Sequence, residues 1–339
     1  MSAEPLYGES LPIPSGWFCI GPASDYPRGA VTTRRLCGRE IVVFHTSDGR
    51  LAALDAHCPH LGAHMGKGGR VEGDAIRCPF HGFCFDASGT CTKTAYGSHP
   101  PRNLRARAYP VLVLHGIALA YYHPRGIEPS WRPEGADMEG WPPFRFHRWT
   151  LRGHPQETTE NSVDIGHFGV VHGYRGFHER TPVKASGPHL FAAYDFHRPT
   201  LRLLGRELSF HEAIDIDVWG LGYSRVHVTD LSLGLDLRLL VLATPLDADH
   251  IELRIGLSVR DFRASPRVPA GLRWVPRAMT DRLLARVLLR IYRGELEQDL
   301  AIWRHKQYVD RPALAVGDGP VALYRRWARQ FYDDPSSVA

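Results

Sequence analysis

The first third of the chain is patterned as short β strands separated by tight turns. The segment REIVVFHT is followed by the turn SDGR and the segment LAALDAH, which is the pattern of a β-hairpin. Two further segments, AIRCPFHG and FCFDASGTC, continue the pattern, with a turn predicted at Asp86–Gly89. The segments AYPVLVLHG and IALAYYHP then complete a predicted small all-β domain.

The pattern changes after residues 125–150, which are rich in Pro, Gly and Trp. Three long segments, LGYSRVHVTDLSLG, LDLRLLVLATPLDADH and IELRIGLSVRDF, predict an antiparallel sheet. A stretch from about Pro276 to Tyr308 contains no Gly except Gly294 and no Pro after its first residue, which predicts a long helix. We therefore expect an α+β protein with an N-terminal extension (1–15), an all-β domain (16–125), and a domain of antiparallel sheet flanked by helices (126–339).

The composition of the 339 residues, 43% hydrophobic and 23% charged, is that of a globular protein. The formal net charge of +5 is mild and gives no reason to expect a nucleic-acid partner. We find no signal-peptide pattern at the N-terminus and no run of about eighteen apolar residues. Four of the six cysteines, Cys19, Cys37, Cys84 and Cys91, show no paired framework, so we expect reduced thiols in a cytoplasmic protein.

Two loops carry matched pairs of metal-binding side chains, Cys58-Pro-His60 and Cys78-Pro-Phe-His81. In a Rieske [2Fe–2S] cluster two imidazoles replace two thiolates on one iron, which raises the reduction potential. A structural zinc site is the competing interpretation, because two Cys and two His also suit tetrahedral zinc. Zinc fingers usually place Cys with Cys and His with His, whereas each loop here mixes them. The spacing therefore favours a Rieske cluster bound by Cys58, His60, Cys78 and His81.

Other potential donors lie close to these loops. We expect His57 and His64 to make loop hydrogen bonds, since a ligand role for His64 would add a fifth donor to the cluster. Cys84 and Cys91 are interpreted as packing residues.

A second group of chemically useful residues lies in the segment ENSVDIGHFGVVHGY, which contains Asn161, Asp164, His167 and His172. On a helix the first three would recur at every third residue and share roughly one face. His172 would lie about 140° from His167 on an ideal helix. Both imidazoles can therefore reach one metal only if the helix is distorted or ends between them, and Gly169 and Gly173 favour such a break.

Two histidines and one carboxylate on one side of an iron form the site of non-haem Fe(II) oxygenases. The candidate carboxylate is Asp299, on the predicted long helix. Glu295 lies one turn earlier and could share its face, while Glu297 points elsewhere. Because an electron-delivering cluster needs an acceptor, we expect a mononuclear iron at His167, His172 and Asp299, with Glu295 left as an open alternative.

With both motifs and the late Asp in this order, the chain resembles the oxygenase component of Rieske non-haem iron oxygenases over nearly its whole length. The segments CPHLGAHMGKGGRVEGDAIRCPFHGF, ENSVDIGHFGVVHG and GDGPVALYRRWARQFY are most similar to the branch of 3-ketosteroid 9α-hydroxylases and cholesterol 7-desaturases. The chain departs from the family at Phe83, where Trp is usual. It also lacks the N-terminal membrane anchor of the animal desaturases, from which we expect a soluble, bacterial-type enzyme.

The resemblance implies a small β Rieske domain followed by a catalytic domain of helices and sheet. The family motif N-x-x-D-x-x-H-x4-H assigns Asn161 and Asp164 to the catalytic group. It implies that Asp164 joins His81 of a neighbouring subunit to His167 and so carries the electron between the centres. It also implies a ring-shaped homotrimer.

The function implied is that of a terminal oxygenase that uses O2 to hydroxylate or desaturate a hydrophobic substrate, with a steroid or sterol as first choice. Aromatic ring hydroxylation or O-demethylation and a natural-product tailoring step are the alternatives. No G-x-G-x-x-G fingerprint follows a strand, so we expect NAD(P)H electrons to arrive through a separate ferredoxin and/or flavin reductase. A Rieske electron-transfer protein is the alternative from another class, and it predicts a shorter chain without the second metal site.

Overall fold

The computed structural model describes residues 11–199, 201–203, 206–208, 210–232, 234–260 and 277–333. Among these residues no helix is long and apolar enough to cross a membrane. The strands within these described ranges form five antiparallel sheets. The division into residues 1–15, 16–125 and 126–339 is retained as a proposal, and residues 1–10 lie outside the described part.

Eleven short strands form the N-terminal part of the fold. They are β1 (Gly16–Pro22), β2 (Thr32–Leu36), β3 (Arg39–His45), β4 (Leu51–Asp55), β5 (Arg70–Glu72), β6 (Ala75–Arg77), β7 (Cys84–Asp86), β8 (Cys91–Lys93), β9 (Ala108–Tyr109), β10 (Val111–Leu114) and β11 (Ile117–Tyr122). Their sheet orders are β1-β11-β10, β2-β3-β4-β9 and β5-β6-β7-β8. The predicted hairpin is confirmed, since Val43 of β3 pairs with Ala53 of β4. One Cys–His loop follows β4 and the other joins β6 to β7, so both extend from sheet ends.

A seven-stranded sheet, of order β12-β20-β19-β18-β17-β14-β13, forms the second part of the fold. The later strands are β12 (Arg145–Arg152), β13 (Arg175–Ser186), β14 (His189–His197), β15 (Leu201–Leu203), β16 (Arg206–Leu208), β17 (His211–Trp219), β18 (Tyr223–Asp230), β19 (Leu235–Pro245) and β20 (His250–Val259). The antiparallel sheet predicted from the three long segments is confirmed by β18, β19 and β20. The last residues of the stretch 125–150, in which we expect the domain boundary, already belong to β12. This strand pairs with β20 along its full length.

Four α-helices are described, α1 (Pro155–Glu160), α2 (Ile165–Val170), α3 (Arg277–Trp303) and α4 (Val321–Ala328). The predicted long helix is confirmed as α3, although Pro276 lies outside the described residues. Its predicted end at Tyr308 is wrong, because the helix stops at Trp303. The chain then turns toward α1, where the Lys306 ammonium lies 3.2 Å from Glu157 and the Gln156 amide donates to Tyr308 Oη at 3.2 Å.

The segment 155–172 is not the single helix on which Asn161, Asp164 and His167 were expected to share a face. Asn161 caps the C-terminus of α1, and Asp164 caps the N-terminus of α2 by accepting from the His167 backbone N–H at 3.3 Å. A short polar side chain at an N-cap satisfies amides that the helix itself cannot bond. The expected break between the two histidines is present, since α2 ends at Val170 and Gly173 has a φ of +69°.

The two parts of the fold meet where β1 crosses the turn between β17 and β18. An ideal Cβ on Gly222 would clash with Phe18 Cδ1 and would lie 2.5 Å from the Trp17 carbonyl oxygen. We expect Gly222→Ala to lower the free energy of unfolding by about 1–3 kcal/mol, because overpacking forces side chains and backbone apart. Thermal unfolding followed by circular dichroism measures this.

Gly294→Ala is the matched control for that substitution. Gly294 lies inside α3, and apart from the adjoining backbone of its own helix no described atom lies within 4 Å of the position that a Cβ would take. Alanine should therefore raise stability by about 0.5–1 kcal/mol. Equal melting temperatures for Gly222→Ala and the unmodified protein would contradict the tight contact.

His154 couples the start of α1 to pH. Its Nδ1 accepts from the Gln156 backbone N–H at 3.2 Å, and complete burial lowers the imidazole pKa to about 4. The unfolded residue takes up a proton below about pH 6.5, while the folded one does not until about pH 4. Stability contributed by neutral His154 is therefore complete above pH 6.5 and is lost as the pH falls toward 4.

We expect His154→Asn, which keeps a capping acceptor, to remove this pH dependence. Between pH 6.5 and 5 the unmodified protein should lose about 2 kcal/mol more stability than the variant, as denaturant titrations at each pH would measure. If the two proteins lost equal free energies of unfolding over this pH range, a buried neutral His154 imidazole would be refuted.

Candidate metal centres

The two Cys–His loops have the same backbone hydrogen bonds although their histidines differ by one position. In the first, the Cys58 amide donates to the Ala63 carbonyl and the Gly62 amide to the Cys58 carbonyl, at 2.8 and 2.9 Å. In the second, the Cys78 amide donates to Phe83 and the Gly82 amide to Cys78, at 2.8 and 3.1 Å. Gly62 and Gly82 have φ values of +77° and +66°, a conformation that other residues rarely adopt. The loops therefore present two equivalent knuckles.

The side chains of these knuckles converge. The His60 and His81 ring centroids lie 4.8 Å apart, and the Cys58 and Cys78 side chains are buried in the same hydrophobic cluster. Burial raises the pKa of Cys58 to about 11, so the thiolate form needs a bound cation. His60 Nδ1 is buried without a hydrogen-bond partner among the described residues. An unpaired imidazole nitrogen and two buried thiols fit a bound [2Fe–2S] cluster.

Phe83, the departure from the usual Trp, packs against this centre. Its ring stacks on His60 with centroids 4.4 Å apart and an interplanar angle of 23°. The phenyl ring therefore fixes the plane of the His60 imidazole.

The neighbouring donors take the structural roles expected of them. Cys84 and Cys91 are buried, and no disulfide joins any of the six cysteines, all of which lie in the described part of the chain. The Gly66 amide donates to His64 Nδ1 at 3.0 Å, so in neutral His64 the proton is on Nε2, which faces Glu40 at 3.5 Å. The His57 ring packs against the His64 ring. Because His64 Nε2 carries the proton, it has no lone pair with which His64 could bind a metal together with His57.

The second centre lies between α2, the loop that follows it, and α3. His167, His172 and Asp299 each offer a ligand atom, and these atoms lie within 4.8 Å of one another. His172 Nε2 is 3.4 Å from Asp299 Oδ1, and Asp299 is 7% exposed. Burial alone would lower the pKa of His172. The hydrogen bond and the charge of Asp299 outweigh this effect and raise the pKa of His172.

Hydrogen bonds fix the orientation of both imidazoles. His167 Nδ1 donates to the Asp164 carbonyl oxygen, and His172 Nδ1 donates to Gln298 Oε1 at 3.0 Å. With Nδ1 engaged in this way, Nε2 is the atom of each ring that is left for a metal, which would displace any proton shared between His172 Nε2 and Asp299. Two such nitrogens and one carboxylate are the donor set of a mononuclear non-haem iron.

The Asp164 side chain lies beside His167 and is also partly exposed to solvent. Burial alone would raise its pKa, but hydrogen bonds from His167 lower it below the usual value. Asp164 Oδ2 lies 3.8 Å from His167 Nδ1, and the Asp164 side chain is 36% exposed. The carboxylate is therefore charged and accessible to a further hydrogen-bond donor.

The structure separates the three acidic candidates on α3. Glu295 pairs with Arg198, and Glu297 is exposed and lies 3.6 Å from Arg293. Only Asp299 among them joins the His167–His172 group in the described chain. Geometry therefore favours Asp299 over Glu295 as the third ligand.

Two adjoining cavities, of about 150 and 180 Å³, meet at His172 and Asp299. Asn161 and His167 line the first cavity, with Thr159, Leu221 and Trp303. The second is walled by apolar side chains and ends in a charged group. Its walls are formed by Phe168, Phe196, Ile214, Ile216, Val226, Val228, Leu239 and Ile255.

The charged group consists of Arg198, Glu212 and Glu295. Sequence patterns indicated Glu295 only as a possible metal ligand, and they did not indicate Arg198, Glu212 or Gln298 as site residues. Arg198 Nε donates to Glu212 Oε1 at 2.6 Å, and its Nη1 donates to Glu295. The alternation of HEAIDIDVW could have indicated Glu212, because it falls on the same strand face as Ile214 and Ile216. Nothing local indicated Arg198.

Two families match the chain. Residues 16–106 match the Rieske [2Fe–2S] domain, and residues 120–332 match the 3-ketosteroid 9α-hydroxylase C-terminal domain. The matching ranges contain both candidate centres.

Curated relatives match over most of their length. The chain is 28% identical to a cholesterol 7-desaturase of Hemicentrotus pulcherrimus, over 97% of this chain and 72% of the relative. It is also 28% identical to a 3-ketosteroid-9-alpha-monooxygenase oxygenase component of Rhodococcus rhodochrous, over 95% and 85%.

Solved structures share the fold. Dicamba monooxygenase bound to 3,6-dichlorosalicylic acid superposes with a TM-score of 0.70 at 18% identity, covering 96% of this chain and 98% of that one. A Pseudomonas putida NdmA mutant with theobromine gives 0.65 at 15% identity, covering 92% and 89%. At such identities the likeness concerns the fold alone.

Proposed function

Since the chain belongs to the family of Rieske oxygenases that carry the 3-ketosteroid 9α-hydroxylase C-terminal domain, we propose that it hydroxylates or desaturates a steroid or sterol. It is the terminal oxygenase component of such a system and uses O2 and electrons from a separate reductase. The observation that carries the proposal is the His167–His172–Asp299 group opening into apolar cavities, on the same chain as the Cys–His loops.

The cofactors are a Rieske [2Fe–2S] cluster and a mononuclear non-haem iron. We assign the cluster to Cys58, His60, Cys78 and His81, and the iron to His167, His172 and Asp299. When bound, the cluster supplies single electrons and the iron supplies open coordination positions at which O2 is activated.

The residues around the iron ligands have separate tasks in this proposal. Gln298 and the Asp164 carbonyl hold the two imidazoles with Nε2 facing inward. Asn161 lines the cavity beside them, where an amide can orient substrate or water. Phe168 and Trp303 exclude water from the reacting carbon.

The charges of the second cavity favour a neutral substrate. Arg198 is already paired with two carboxylates, so it offers no free positive charge to an aromatic acid. The apolar walls suit fused hydrocarbon rings. An aromatic-compound monooxygenase or O-demethylase is one alternative. A natural-product tailoring step is the other. A Rieske electron-transfer protein is set aside, because the catalytic family covers residues 120–332.

The chain requires an electron-donating partner, which we propose to be a ferredoxin and/or flavin reductase. We also propose a homotrimer in which the cluster loops face the Asp164 region of a neighbouring subunit. Leu61, Phe80 and Tyr96 are exposed beside the cluster loops, and Val170 is 89% exposed at the end of α2. Exposed apolar side chains therefore lie both beside the cluster loops and near Asp164, the two surfaces that would meet in the proposed trimer. Their exposure favours an interface that buries them. The cytoplasmic location stays a prediction.

The test begins with iron and acid-labile sulfide in anaerobically purified protein. We expect about three irons and two sulfides per chain, with a Rieske-type EPR signal after dithionite reduction. Products are then sought after reduction in the presence of O2 with cholesterol, androst-4-ene-3,17-dione or dicamba. Product from a steroid and none from dicamba supports the proposal, and the reverse result would establish the aromatic alternative. Light scattering gives the mass that separates trimer from monomer.

A further inference from the structure

The far end of the second cavity combines an apolar tunnel with buried charge. Strand β17 presents Ile214 and Ile216 to the cavity, and Glu212 continues the same row. A carboxylate in this row must be stabilised, because burying a charge without partners is costly. Within the part of the chain that the structure describes, only one of its two oxygens has a partner.

Arg198 satisfies the first oxygen and pairs with a second carboxylate. Its Nε donates to Glu212 Oε1 at 2.6 Å and its Nη1 donates to Glu295. Its guanidinium also lies over the rings of Tyr174 and Tyr292, at 5.5 and 4.8 Å from their centroids. The group of one cation and two anions carries a net negative charge, so it repels an acidic ligand.

Glu212 Oε2 is the unsatisfied atom. It is buried and has no hydrogen-bond partner among the described residues, and Glu212 is 5% exposed. Burial raises the pKa of Glu212, and the Arg198 guanidinium offsets part of this rise. The geometry is that of an ion pair, with Arg198 Nε 2.6 Å from Glu212 Oε1, so Glu212 takes the carboxylate role in it. An ionised carboxylate only accepts hydrogen bonds, so whatever satisfies Oε2 must donate one.

We propose that Glu212 Oε2 accepts a hydrogen bond from a hydroxyl group of the substrate, which makes that substrate a neutral apolar alcohol. This inference rests on the proposed steroid function and specifies the substrate class of that site. A hydroxysteroid places its rings along Ile214 and Ile216 and its hydroxyl at Glu212. A ketone at the same carbon offers only an acceptor, and it would leave Oε2 unsatisfied and face a negative charge.

Binding to the iron-loaded oxygenase tests the proposal, measured anaerobically by equilibrium dialysis without the reductase. The probes are matched androstane pairs, 5α-androstan-3β-ol with 5α-androstan-3-one, and 5α-androstan-17β-ol with 5α-androstan-17-one. We expect at least one alcohol to bind about tenfold or more tightly than its ketone, since a hydrogen bond to a buried charged group gives this discrimination. In Glu212→Gln the preference should fall to about one or reverse, because the amide can donate to a ketone.

Glu295→Gln is the matched control. This substitution removes the charge of the other carboxylate that pairs with Arg198, so it disturbs the Arg198 ion pairs to a similar extent without changing Glu212. The preference for the alcohol over the ketone should therefore survive. Equal binding of alcohols and ketones to the unmodified protein would overturn the role of Glu212 while leaving the steroid function standing. An equal loss for alcohol and ketone in Glu212→Gln would also overturn it. Failure of all four steroids to bind the unmodified protein would overturn the steroid function itself. If Glu212→Gln does not fold, equal binding of alcohols and ketones to the unmodified protein still overturns the role of Glu212.

Discussion

Asp299→Ala is expected to lower the iron content from about three to about two per chain and to abolish product formation. The carboxylate supplies one of three protein ligands, and in the described chain no other acidic residue joins the two imidazoles. Glu295 cannot replace it, because Arg198 already binds its carboxylate. Acid-labile sulfide and the Rieske EPR signal should be unchanged, since the cluster loops lie on other elements. Metal analysis, EPR and a product assay on one preparation give all three readouts.

Glu297→Ala is the control for that experiment. Glu297 lies two residues away on the same helix, but its side chain is exposed and its only described ion pair is with Arg293. It should keep about three irons and full turnover. If Asp299→Ala kept its third iron while Glu295→Ala lost it, Glu295 would be the ligand instead.

Asp164→Ala is expected to retain both metal centres and lose about a hundredfold or more of its turnover. The Asp164 carboxylate lies 3.8 Å from His167 Nδ1, and its side chain is partly exposed. It can therefore hold His167 and accept a hydrogen bond from His81 of a neighbouring subunit in the proposed trimer. Iron and sulfide content should be normal, and dithionite should reduce the cluster as in the unmodified protein. Product formed per NADH consumed should fall.

Asp164→Asn separates the charge from the helix cap. Asparagine is also a good N-cap, so this variant should keep α2 and the backbone bond to His167 while losing the negative charge. A similar loss of turnover in both variants assigns the effect to the charge. Normal coupled turnover in Asp164→Ala would remove the bridging role altogether.

The sequence by itself determined the features that depend on near neighbours. The Cys–His knuckles follow from hydrogen bonds that span at most five residues, with Gly62 and Gly82 in a conformation that local sterics reserve for glycine. The strands β18, β19 and β20 follow from the alternation of apolar and polar residues and from the turn residues between them. The break between His167 and His172 was likewise signalled by glycines close to it.

Sequence patterns failed where helix boundaries depended on partners elsewhere in the chain. Asn161, Asp164 and His167 fit one helix by spacing, but the Asp164 cap starts a second helix. The end of α3 fell at Trp303, because contacts from Lys306 and Tyr308 to α1 compete with further helical turns. Helical periodicity contains no information about such competing contacts.

Only the tertiary structure decided between Asp299 and Glu295 and revealed the charged end of the cavity. Both acids share a face of α3, so their spacing gives them equal claims to the metal. The choice follows from Arg198, which the sheet brings beside Glu295 but not beside Asp299. The unsatisfied oxygen of Glu212 likewise exists only because β14, β17 and α3 enclose it. Local patterns specify which residue types are available, and long-range packing specifies which of them meet and which remain unpaired.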